Sequence, residues 1–418
     1  MWWWTNVALG FTLQPAVPLD TRTVTGLAVA GDTVVVTLVD DGVPNDIIAR
    51  TSLDGGLTFG PRELVHSVTR APDAWHRLTP LSTTAVGLSA DGLERSVAGG
   101  ILMTDSRLPP LFSYPPVTVD VEYGAAGVWR DDGAGWVPAH FLDAMTDRCD
   151  AGGRSCMLLA QVDDVAVSDD GDVVWSSYTG WDHYLQANPG RRGQALITRA
   201  VRGSAVGAPI DLSARLLADD RTMELGARIA TDASGDHVVA ALYRGSSPVE
   251  QHLGVSFDAG ATWQDTMVEG AASDVDYARD ADIVAWGVIR TSPVEYAIDV
   301  RTSTDGGRTF GAPVTVHASV HGSPPSLMID ELRLAISRDG QVMAVVHEED
   351  RCSPSCGGAP DVVLRVSEDG GATWTRLSVL TTTYAATYRV AVSDDGDTIW
   401  VAARDASGGS NLYRATRP

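Results

Sequence analysis

Ser303-Thr304-Asp305-Gly306-Gly307-Arg308-Thr309-Phe310 decides the fold, because the chain writes it again. Ser52-Leu53-Asp54-Gly55-Gly56-Leu57-Thr58-Phe59 and Ser367-Glu368-Asp369-Gly370-Gly371-Ala372-Thr373-Trp374 follow the same pattern, S-x-D-x-G-x-T-[WF]. Ser256-Phe257-Asp258-Ala259-Gly260-Ala261-Thr262-Trp263 is a fourth copy with one glycine replaced. An aspartate placed this way accepts hydrogen bonds from the N–H groups of its own turn. The glycines supply positive φ, and the closing aromatic packs beneath the turn. Apolar alternation flanks the copies (Leu364 and Val366 before one, Val314 and Val316 after another), so each reads as the tip of a β-hairpin. Four near-identical tips predict a repeated architecture.

A second element recurs ahead of the tips: an apolar strand, an Asp/Gly turn and another apolar strand. Its copies run from Leu27 to Val36, Val86 to Val97, Val165 to Trp175 and Ile229 to Leu242. Three more run from Val275 to Trp286, Leu334 to Val346 and Val390 to Val401. Each tip is followed by a short apolar tail such as Phe310-Gly311-Ala312-Pro313-Val314. Weaker tails stand at Phe112 to Val119 and Val206 to Leu212. The unit is therefore four antiparallel strands in about 50 residues, the size of a propeller blade.

Seven copies predict an all-β, seven-bladed β-propeller occupying residues 1–418 as one domain, with six or eight blades as alternatives. The seventh unit has three strands, ending at Leu412 to Ala415. The orphan segment Phe11 to Leu19 is expected to supply the fourth and close the ring, which also protects the edges. Residues from about 121 to 160, with their extra Val128-Trp129-Arg130-Asp131-Asp132-Gly133 turn, read as an insertion.

Composition narrows the function classes. A net charge of −23 with no lysine excludes lysine nucleophiles and leaves no basic stripe for nucleic acid. No apolar run is long enough to span a membrane. A monomer is expected. The cysteines form two close pairs, Cys149 with Cys156 and Cys352 with Cys356, without histidines at zinc-ligand spacing. They are read as local disulfides, which places the protein outside the cell, in the periplasm or on the cell surface. Met1-Trp2-Trp3-Trp4, with no basic residue before Arg22, lacks the charged start of a signal peptide, so a signal is expected upstream or already removed.

The octapeptides resemble the Asp-box (BNR) repeats of sialidases and related β-propellers, and the resemblance spans most of the chain. It implies the propeller fold and turns that are structural, lying away from the active face. It leaves activity open, because such repeats also occur in other glycosidases, in receptors and in assembly factors. Sialidases use three arginines on the substrate carboxylate and a Tyr nucleophile with a Glu partner. Tyr277, Tyr384 and Tyr388 are the candidates for that tyrosine. The family's N-terminal arginine motif is missing, with His76-Arg77-Leu78-Thr79-Pro80 a loose echo, and its propellers have six blades.

Hairpin alternation puts the octapeptides and Asp-Gly turns on one face and the variable loops on the other, where scaffolds carry function. Arg244, Arg290, Arg351 and Arg404 each fall just past a second strand in consecutive blades. They form a candidate ring for clamping a carboxylate or sulfate, or else a set of exposed strand-end charges. Glu250, Glu295, Glu348, Glu349 and Asp350 are the nearby carboxylates for acid and base roles. Trp75, Arg77, Trp181 and His183 are candidate platforms for a sugar ring. No cofactor is expected. The Asp169-Asp170-Gly171-Asp172 and Asp394-Asp395-Gly396-Asp397 turns are the only places where Ca²⁺ is considered, against plain hairpin turns. Two functions follow as expectations: a propeller whose loop-bearing face binds a glycan or protein, and a sialidase-like glycoside hydrolase or lyase for an acidic carbohydrate.

Overall fold

The computed structural model describes residues 10–39, 46–67, 76–105, 123–142, 157–182, 194–204, 207–216, 227–243, 250–270, 272–291, 295–320, 332–349, 361–381, 388–404 and 408–418. The strands form seven antiparallel sheets, six of them made from four consecutive strands. The protein is a seven-bladed propeller with almost no helix. Its one described helical turn, Leu212–Leu216, buries both end leucines in the apolar cluster that joins the third and fourth blades.

The inner strands are Thr23–Ala30, His76–Leu88, Met157–Val167, Ala227–Thr231, Ala272–Ala278, Leu332–Ile336 and Tyr388–Val392. Val, Ile, Leu and Ala from facing blades fill the clefts between them, as β-branched side chains suit a pleated surface. The seventh blade closes as the repeats predict. Thr12–Leu13 and Val17–Asp20 pair with Ser410–Thr416, matching Val17 to Leu412 and Thr12 to Thr416.

One local reading changes. Tyr123–Asp131 and Val137–Leu142, assigned to an insertion above, are the third and fourth strands of the second blade. Their turn lacks the octapeptide signature, and Asp131 stands where the four octapeptide blades have serine. Its Oδ1 accepts the N–H groups of Gly133 and Gly135, both at 2.8 Å. Ser52 Oγ does the same for Asp54 and Gly56, at 3.3 and 2.8 Å. The Phe112 to Val119 tail lies outside the described residues. So do both cysteine pairs, Cys149 with Cys156 and Cys352 with Cys356, and the expected disulfides therefore stay expectations from the sequence.

The four octapeptides share one bonding scheme. Asp305 accepts the Thr309 N–H at 2.9 Å and its hydroxyl at 2.7 Å, while the Ser303 hydroxyl donates to it at 2.7 Å. Asp54, Asp258 and Asp369 repeat these bonds within 0.2 Å of them. Phe59, Trp263, Phe310 and Trp374 pack against the apolar clusters beneath. Each octapeptide also bonds the first turn of its own blade, as in Gly306 N–H to Asp282 O at 2.8 Å. Both sets of turns therefore share one face of the disc. The opposite strand ends lead into the connections from second to third strand and from blade to blade.

Candidate functional site in the central channel

An inner strand pairs on one side only, so its other edge presents unbonded N–H and C=O groups to the axis. The sequence answers this with charge. Four residues before each turn stand Gly26, Ala85, Asp164, Arg228, Asp274, Arg333 and Arg389, in blade order. Two residues further along stand Ala28, Gly87, Ala166, Ala230, Asp276, Ala335 and Ala391. The first ring is charged in five successive blades, and the second is small everywhere except at Asp276.

The aspartates stitch blade to blade. Asp164 of the third blade accepts its own Val165 N–H at 2.9 Å and the Ile229 N–H of the fourth at 3.0 Å. Asp274 of the fifth accepts Val275 N–H at 3.0 Å and Leu334 N–H of the sixth at 2.8 Å. Asp276 accepts Tyr277 N–H at 2.8 Å and Ile336 N–H at 2.9 Å. The arginines use carbonyls: Arg228 donates to Asp163 O, Arg333 to Leu332 O at 3.1 Å and Arg389 to Tyr388 O at 2.8 Å.

All seven inner strands line one cavity of about 250 Å³. Its turn-bearing end is crossed by ion pairs. Arg279 and Arg338, from the fifth and sixth blades, both bond Asp169 of the third, the former at 2.7 Å, and Arg338 also bonds Asp280 at 2.7 Å. Backbone bonds between successive turns, such as Asp169 N–H to Ala233 O at 2.9 Å, complete this floor. Burial pushes the Asp274 carboxyl up, against the opposing pull of Arg333 and Arg228. It pushes Asp276 up to about 7, against its two N–H bonds and Arg279. Asp276 is half-buried, and part of its surface faces the cavity.

Among the described residues singled out from the sequence, Tyr277 and Asp394 line this cavity and Asp169 lies in its floor, while Arg290, Arg404, Glu348, Glu349 and Tyr388 sit elsewhere. Arg290 pairs with Asp299 of the adjacent strand, which also accepts the Thr315 hydroxyl at 2.8 Å. Arg404 donates to Gly408 O at 3.0 Å and to the Thr23 hydroxyl at 3.4 Å, at the seam of the seventh and first blades. The two are held in different blades by different neighbours. Arg77, Trp181, Glu250 and Glu295 are described as strand backbone only. Trp75, His183, Arg244, Asp350, Arg351 and Tyr384 lie outside the described residues, as do Cys149, Cys156, Cys352 and Cys356.

Glu349 is engaged by Arg365 at 2.6 Å and Arg376 at 3.2 Å. The Glu348 carbonyl accepts from His347 Nδ1 at 3.0 Å, leaving His347 Nε2 to accept from Arg365 Nε at 3.1 Å. Burial pushes His347 down to about 3, so it is neutral in this network. Tyr388 is fully buried in the apolar cluster between the sixth and seventh blades. Tyr277 donates to Asp282 at 2.7 Å and meets His237 Nδ1 at 2.9 Å, near the turn-bearing end. Burial and Asp282 push its phenol up, away from nucleophile chemistry. Asp170 and Asp395 accept Ser168 and Ser393 hydroxyls at 2.6 Å within their own turns. Among the described residues, no group of three or more His, Cys, Asp or Glu is arranged to hold a metal ion.

Sequence reading missed the inner ring. Its signal was present in Asp164-Val165-Ala166-Val167-Ser168, Arg228-Ile229-Ala230-Thr231-Asp232, Arg333-Leu334-Ala335-Ile336-Ser337 and Arg389-Val390-Ala391-Val392-Ser393. Stacking these segments shows a charge four residues ahead of each of these four turns.

No protein-family model matches the chain, and no curated protein matches it. Similar solved structures include a Hadza microbial sialidase, 16% identical, covering 90% of this chain and 74% of its own, with a TM-score of 0.47. A Dyadobacter fermentans protein of unknown function is 13% identical, covering 98% of this chain and all (100%) of its own, with a TM-score of 0.48. A Trypanosoma rangeli sialidase in complex with the inhibitor DANA is 12% identical, covering 98% and 60%, with a TM-score of 0.43.

Proposed function

We propose that this protein is an extracellular or cell-surface propeller that binds an acidic ligand, a glycan before a protein, at the loop-bearing end of its channel. One observation carries the reading. Arg228, Arg333 and Arg389 occupy the same register position on three inner strands around one cavity. Guanidinium groups converging on a partly desolvated pocket favour a carboxylate or sulfate, because their planar forks match its oxygens.

A second reading, a sialidase-like glycoside hydrolase, is favoured by Asp276. A carboxyl titrating near neutrality inside a cavity is matched to proton donation. The test is calorimetric titration with glucuronate, N-acetylneuraminate and neutral glucose, alongside fluorogenic sialosides and uronides. Acid-selective binding that weakens at least about tenfold in Arg333→Ala and Arg389→Ala supports the binding reading. Equal affinity for glucose, or no effect of either substitution, overturns it. Turnover of a sialoside or uronide moves the assignment to the hydrolase.

A further inference from the structure

We propose that Asp276 is the group that takes up a proton when an anion enters the channel, so that the site binds anion and proton together. The inference rests on the acidic-ligand reading above. Its first support is register. Every other blade carries alanine or glycine at this position, so the Asp276 carboxylate alone reaches the cavity from the second ring. Its second support is charge balance. Five aspartates and five arginines line the cavity, and two of those arginines, Arg279 and Arg338, are already paired with Asp169 and Asp280, so the ionised lining carries no surplus positive charge. An entering carboxylate adds one negative charge to a space with little solvent to spread it, and protonating one lining aspartate offsets it.

The neighbours select which aspartate. On its own strand and turn, Asp276 faces Asp274 and Arg279. From the sixth blade come Arg333 and Arg338, and from the fourth Arg228. The seventh contributes Arg389 and Asp394, and the third Asp163, Asp164 and the floor residue Asp169. Asp274 has Arg333 and Arg228 as counter-charges. The cation acting on Asp276 is Arg279, and Arg279 is itself bonded to Asp169. Asp276 is thus a cavity-facing carboxylate whose counter-ion is shared, and it loses little by becoming neutral. Once protonated it can also donate a hydrogen bond to the anion that caused the uptake.

Titrating glucuronate and N-acetylneuraminate into the full chain, in two cationic buffers of different ionisation enthalpy, reads proton uptake directly. The expected result is uptake approaching one proton per anion above pH 7, with affinity falling up to about tenfold per pH unit there. Asp276→Ala, the residue found in five other blades, should abolish both the uptake and the slope. If that variant does not fold, Asp276→Asn, which keeps an acceptor oxygen and cannot titrate, takes its place, and uptake that persists in it overturns the assignment to Asp276. Binding with no proton uptake overturns this inference and leaves the acidic-ligand reading intact. Failure of both acids to bind overturns both.

Discussion

The Asp274 carboxylate of the fifth blade accepts the Leu334 N–H of the sixth at 2.8 Å, and Asp164 stands in the same relation to Ile229 between the third and fourth. One residue type at one register position satisfies the open edge of the following blade. Asp274→Ala leaves the buried Leu334 N–H without this acceptor. The expected loss is about 1–3 kcal/mol, measured by urea denaturation. Asp274→Asn retains one acceptor oxygen and should lose less.

The octapeptide glycines are not equivalent. Gly306 has φ 70°, and a Cβ there would lie 2.4 Å from His237 Cε1. Gly55 has φ 67°, with nothing nearer such a Cβ than the end of Arg414 at 3.5 Å. The fourth copy carries Ala259 at this place with φ 55°. Gly55→Ala should therefore cost about 1 kcal/mol from backbone strain alone, and Gly306→Ala distinctly more. Thermal melts of the two variants side by side decide the point.

Stability should fall on both sides of mildly acidic pH. Hydrogen bonds from Thr58 and Ser52 hold Asp54 at about 2, and those from Ser303 and Thr309 do the same for Asp305. Their contribution is present above the unfolded value near 3.8 and is lost as pH drops from there through 2. Asp276 has the opposite sign. Its folded value of about 7 exceeds the unfolded 3.8, so its contribution is complete below 3.8 and is lost as pH rises through 7. Denaturation midpoints from about pH 2 to 8 should trace both limbs. Asp276→Ala should flatten the upper limb, and Asp305→Asn should shallow the lower one.

Tyr277→Phe separates a structural from a catalytic tyrosine. The hydroxyl links Asp282 and His237, so its removal should cost about 1–2 kcal/mol of stability. Ligand affinity, and any glycosidase turnover, should remain within about twofold of wild type. Abolished turnover in a folded variant would return Tyr277 to the chemistry.

Turn signals made the fold legible. Asp, Gly and aromatic residues at fixed offsets act within one turn, so the four octapeptides announced the repeat, and the seven strand-turn-strand copies counted the blades and left Phe11 to Leu19 as the closing segment. The second blade's outer hairpin was hidden because Asp131 does the work of a serine and the aspartate–threonine pair is missing. The channel ring was hidden for a different reason. Neither Asp164 nor Arg228 is unusual in its own segment, and only stacking seven inner strands in register shows them converging. The outer arginines looked equivalent along the sequence, but Arg290 turns to Asp299 and Arg404 to Gly408. Strand-end register does not fix where a long flexible side chain points.

Ring closure has a mechanical consequence. Thr12 faces Thr416, and Leu13 faces Ala415, so the two chain directions leave the closing ladder at the same end. Tension applied through the segments before Thr12 and after Thr416 loads these pairs one after another, as a zipper is opened, instead of shearing them together. The propeller should therefore yield at its seam under small forces, through Leu13 and then Val17, while the six blades made from consecutive strands stay intact.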